Sequence, residues 1–123
     1  MKVFFTGPES LKRIPPEVSL RIVKVMAINA ETLIGKLSNF DEIALRMLFV
    51  LEYPRVTIYQ TGDKDNMGYP IVFCNPELGY YLAQDIALSR AADYMLAVYD
   101  GKSTRVAANL KRMPENRIRL ITV

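Results

Sequence analysis

Short runs of β-branched and aromatic residues alternate with segments of helical apolar spacing along the whole chain, and turn residues mark each change. Val3-Phe4-Phe5-Thr6 stops at Gly7-Pro8, Thr32-Leu33-Ile34 stops at Gly35, and Val56-Thr57-Ile58-Tyr59 runs into a Gly- and Pro-rich stretch. Tyr94-Met95-Leu96-Ala97-Val98-Tyr99 stops at Asp100-Gly101, and Arg117 to Val123 reads as a closing strand. Between these runs, a helix starting at Pro15-Pro16-Glu17 repeats Val18, Ile22, Val25 and Met26. A second, with Asp41 expected as its N-cap, presents Ile43, Met47, Leu48 and Leu51. Tyr81 to Arg90 and Thr104 to Met113 complete the set, the last stopped by Pro114. Strands that alternate with helices pair in parallel, because right-handed crossovers place the helices over the sheet faces. The expected fold is therefore a three-layer Rossmann-like α/β domain of about five mostly parallel strands with helices on both faces.

The 123 residues suffice for one core, and without repeats, low-complexity tracts or a Gly/Ser linker they are expected to form a single domain, 1–123. Half of them are apolar and 24% charged, an ordinary globular balance. With no histidine and with Cys74 as the one cysteine, histidine triads and histidine metal motifs are excluded. Any general base must be a carboxylate, a lysine or a tyrosine. No secretory pattern opens the chain, and no stretch approaches the roughly 20 apolar residues of a membrane span, so a cytoplasmic setting without membrane contact is expected.

Charge is uneven. Residues 1–100 carry 10 basic and 12 acidic side chains, whereas residues 101–123 carry 6 and 1. The cations Lys102, Arg105, Lys111, Arg112, Arg117 and Arg119 lack interleaved aromatic residues, so nucleic acid is not the expected partner.

In an open parallel sheet the ligand crevice lies beyond the carboxyl ends of the strands, where strand order reverses. Three turns qualify: Gly7-Pro8-Glu9-Ser10, Gly35 to Asp41, and Asp100-Gly101-Lys102-Ser103. Their glycines let the backbone approach a phosphate, and Ser10, Ser38, Lys102, Ser103 and Arg105 supply polar groups nearby. Neither G-x-G-x-x-G nor G-x-x-x-x-G-K-[ST] occurs, which disfavours a dinucleotide fold or a P-loop. Gln60 to Gly79, the least regular stretch, is expected to lie near this site.

The segment Asp85-Ile-Ala-Leu-Ser-Arg-Ala-Ala-Asp93 through Asp100-Gly101-Lys102-Ser103, together with Met1 to Ser10 and Leu33-Ile34-Gly35 through Asp41, resembles the SLOG superfamily. This Rossmann-like group includes Lonely Guy-type phosphoribohydrolases, lysine-decarboxylase-like proteins and small YspA/cpYpsA-related nucleotide-binding domains. The departures fall at ligand-facing positions. Pro8 and Glu9 stand where G-S-R-S has serine and arginine, and Lys36 and Asn39 stand where G-D-A-x-G-x-D has aspartate and glycine. Arg105, Val106 and Asn109 occupy the Gly, Thr and Asn positions of x-G-T-x-x-N after DGKS. Asn109 also takes the place of the glutamate in the hydrolytic relatives' P-G-G-x-G-T-x-x-E, and an amide cannot act as acid or base.

The resemblance thus implies a module that binds a small nucleotide or nucleotide derivative and has lost phosphoribohydrolase activity; no cofactor or metal is expected. A homodimer or larger assembly is implied as well. Two alternatives stand beside it. One is a scaffold without a ligand, acting through protein contacts or oligomerisation with Tyr80-Tyr81, Tyr94 and Tyr99 as anchors. The other is an N-glycosidic-bond hydrolase using Asp41, Asp100 or Glu9.

Overall fold

Valine, phenylalanine and threonine favour extended backbone, and Lys2–Thr6 forms β1, buried from Val3 onward at the centre of the sheet. The computed structural model describes residues 1–62 and 66–123, leaving aside the side chains of residues 78, 80 and 81. After β1 come α1 (Pro16–Ala27), β2 (Glu31–Ile34), α2 (Asn39–Val50), β3 (Val56–Gln60) and β4 (Ile71–Phe73). The chain continues through α3 (Tyr80–Ala91), β5 (Tyr94–Tyr99), α4 (Thr104–Leu110) and β6 (Ile118–Thr122). One six-stranded sheet results, in the order β4-β3-β2-β1-β5-β6, with every neighbouring pair parallel.

The pleat sends alternate side chains of each strand to opposite faces. On one face Val3, Phe5, Ile34, Ile58, Leu96 and Val98 meet Val18, Ile22 and Val25 of α1 and Phe40, Ala44, Leu45 and Leu48 of α2. On the other, Phe4, Leu33, Tyr59, Met95 and Ala97 meet Leu88 of α3, with Leu110 of α4 at the margin. The three-layer α/β architecture is as the alternation predicts.

Three expectations change in detail. The sheet has six strands rather than five: Ile71–Phe73 adds an edge strand inside Gln60 to Gly79, where Ile58 donates to Pro70 and Cys74 to Gln60. A run this short and half exposed carries no periodicity, so only pairing defines it. The stretch also does not lie wholly at one end. A parallel neighbour must restart at the far end of the sheet, so Asn66–Pro70 is carried away, and Tyr69 Oη donates to the Tyr53 carbonyl there.

The N-cap of α2 is Ser38, and Asp41 is the third helical residue, its partner in a capping box. Finally, α4 ends at Leu110 rather than Met113. Lys111 and Arg112 donate to carbonyls three residues back, tightening the last turn ahead of Pro114.

Candidate functional site

Strand order reverses between β1, which leads leftward through β2 and β3, and β5, which leads to β6. The turns after β1, β2 and β5 therefore meet at one edge, and Glu9 connects all three. Its carbonyl accepts from Asn39 N–H at 3.3 Å. Its carboxylate accepts from Ser103 Oγ at 3.0 and 3.1 Å and from Arg105 Nη1 at 3.4 Å.

Arg105 lies deeper, its side chain 12% exposed, and its Nε donates to Asp85 Oδ2 at 2.8 Å. Nη2 reaches Asp85 Oδ1 at 3.4 Å, so guanidinium and carboxylate meet side by side. Asn109 Nδ2 donates to Thr6 Oγ1 at 3.1 Å, and its carbonyl accepts from Arg112, which occupies both ends of the amide inside the protein.

Polar burial is concentrated here. Among the described residues, Thr6, Lys36, Ser38, Asp41, Gln60, Gln84, Asp85, Ser103 and Asn109 are buried at this end, whereas Thr32 is buried at the other. Burial pushes the Asp41 carboxyl up from its ordinary value, against the pull of Arg105 and of the Leu37 and Ser38 amides. Asp85 is pushed up by the same desolvation, and the adjacent guanidinium opposes it. Burial pulls the Arg105 guanidinium down, but Asp85, Asp41 and Glu9 together outweigh it and raise it above its ordinary value, so it is cationic throughout the physiological range. Asp41 Oδ1 and Gln60 Oε1 are buried with no hydrogen-bond partner among the described residues.

The turn amides that would meet a phosphate already have acceptors within the chain. Leu37 and Ser38 N–H donate to Asp41 Oδ2 at 3.2 and 3.3 Å, Lys36 N–H to Gln84 Oε1 at 3.3 Å, and Asp41 N–H to Ser38 Oγ at 3.1 Å. In the third turn, Lys102 and Ser103 N–H both donate to Asp100 Oδ1 at 2.8 Å, which holds that carboxyl below its ordinary value. Val106 N–H donates to Ser103 Oγ at 3.2 Å.

The glycines have correspondingly different roles. A Cβ on Gly7 would stand 2.2 Å from the Phe40 ring, and one on Gly35 would stand 2.7 Å from Gln84 Oε1 and 3.2 Å from Asp41 Oδ2. At both positions the room is taken by the protein's own side chains. Gly101 serves its backbone instead, at φ +78° with open space beside it.

Of the residues that the sequence singles out, Glu9, Ser103 and Arg105 share one network, and Gly35, Ser38 and Asp41 adjoin it. Pro8 is buried behind Glu9; Ser10, Gly101 and Lys102 are exposed. Asp41 has no exposed surface and so does not touch a substrate as an acid or base. Sequence reasoning missed Gln84 and Asp85 as site residues. Their signal is a polar pair set among Ala83, Ala87 and Leu88, which are buried or packed against the core.

Among the described residues, no helix is long and apolar enough to cross a membrane, and no cluster of potential metal ligands forms. No family model, no curated protein and no solved structure matches the chain.

Proposed function

We propose that the protein is a non-catalytic binding module for a small anionic ligand of nucleotide type, received at the β1/β5 reversal. The observation that carries this reading is the Glu9 carboxylate held by Ser103 and Arg105, at 41% side-chain exposure. Two donors, one of them a permanent cation, already grip an anionic group there, and that group is accessible enough to be exchanged for a ligand's phosphate or carboxylate. Keeping Asp41, Asp85 and Lys36 dry, with Arg105 largely so, costs more than an apolar core of the same volume, and such costs are retained where a site needs them.

The absence of an exposed acid at Asp41 and the engagement of Asn109 with Thr6 and Arg112 argue against hydrolysis of an N-glycosidic bond. Native mass spectrometry of the freshly purified protein and a thermal-shift panel of nucleotides test the reading. The expected result is a retained or added nucleotide and a higher Tm, because a ligand that binds only the folded state stabilises it. No retained mass and no shift at about 1 mM of any nucleotide would refute it.

A second reading follows from the amides of the second and third turns, which the chain's own side chains satisfy. It holds that the crevice is permanently closed and that the module acts through protein contacts. Its signature is self-association or partner capture together with indifference to nucleotides.

A further inference from the structure

We propose that the exposed edge of β6 receives an acidic, extended segment of a partner protein as an added strand. Among the described residues β6 pairs only with β5, and Val123 N–H donates to Tyr99 O at 2.9 Å. Alternation of the ladder then turns the N–H and C=O groups of Ile118, Leu120 and Thr122 outward, which is the pattern an incoming strand requires.

Charge selects the occupant. Arg119 projects from β6 on the face covered by α1 and, with Arg21, lines two adjoining pockets there, one also lined by Arg117 and the other by Lys24 and Glu17; Asp93 lies in a third beside Arg117, so the cations outnumber the carboxylates along this face. None of these four cations has an ion-pair partner among the described residues. The pocket that Arg117 lines encloses about 280 Å³ over Val3, Val25 and Leu96. On the opposite face of the strand Leu120 is exposed. A complementary strand therefore alternates, with carboxylates beside Arg119 and apolar side chains beside Leu120. Two copies of this edge would instead bring like charges together, which opposes self-pairing through β6.

The apolar half of the surface favours a polypeptide over a nucleic acid. The probe is a short synthetic peptide of alternating glutamate and valine, read by fluorescence anisotropy and by amide hydrogen exchange on the full chain. Saturable binding with new protection at Ile118, Leu120 and Thr122 is expected. Arg119→Glu should weaken it about tenfold, and N-methylation of alternate peptide amides should abolish it without altering charge. A lysine–valine peptide should not bind.

The proposal is overturned if the acidic peptide fails to bind at about 1 mM, or if Arg119→Glu or N-methylation leaves its affinity unchanged. Displacement of the peptide by a single-stranded oligonucleotide would assign the edge to nucleic acid, and displacement by self-association would assign it to a second copy. Either result also overturns the proposal.

Discussion

Ser103 Oγ lies within 3.1 Å of both carboxylate oxygens of Glu9, a residue 94 positions earlier in the chain. Side chains that distant in sequence meet because β1 and β5 are adjacent in the sheet, so the turns that leave them face each other. The contact joins the turns after β1 and β5 and ties the first turn to α4.

If that carboxylate stands in for a ligand, Glu9→Gln should raise affinity for nucleoside phosphates about tenfold by removing the competing charge from Arg105. Titration calorimetry against inorganic phosphate and a nucleoside monophosphate checks this. The stability cost should stay below about 1 kcal/mol, since the pair is open to solvent screening at Glu9.

Asp85 is a different case, because its loss strands a cation out of water. Asp85→Ala should destabilise the fold by about 3–5 kcal/mol in urea denaturation. Replacing both partners, as Asp85→Leu with Arg105→Met, should recover most of that loss, because no buried charge then remains unpaired. An additive double mutant would show that the two residues do not interact.

Gly7→Ala should cost about 1–3 kcal/mol through overpacking against the Phe40 ring, with no change in backbone preference involved. Adding Phe40→Leu should cost less than the two single losses combined, because the smaller side chain vacates the space of the new methyl. Chemical denaturation of the four-member cycle measures this coupling.

The raised pKa of Asp41 has a definite sign in the pH profile. The folded state holds its proton above the unfolded value of 3.8, so the stability from this group is fully present below that value and is lost as pH rises through the folded pKa. Asp41→Asn should remove this fall while keeping an acceptor for the Leu37 and Ser38 amides. Relative to the variant, the wild type should therefore lose stability as pH climbs from about 4 toward neutrality. Melting temperatures of both proteins across that range supply the comparison.

The alternation of strand and helix was readable because burial imposes its period on each segment separately. Val3 to Thr6 needs no distant information to be extended, nor does the Val18, Ile22, Val25 spacing to be helical. Gly7, Gly35 and Gly101 likewise mark the exits from their strands. The short β4 was not readable, since its order comes from pairing with β3.

The meaning of the turn residues was hidden for the same reason. Gly7 and Gly35 look alike in sequence to glycines that admit a phosphate, and only the packing of Phe40, Gln84 and Asp41 against them shows what fills the space. The sequence by itself determined the layered parallel architecture, because local periodicity and turn chemistry suffice for it. The tertiary structure alone decided that Glu9, Ser103, Arg105 and Asp85 form one network. Such a network depends on which strands lie side by side, and that is settled by sheet order and the burial of charge rather than by any local pattern.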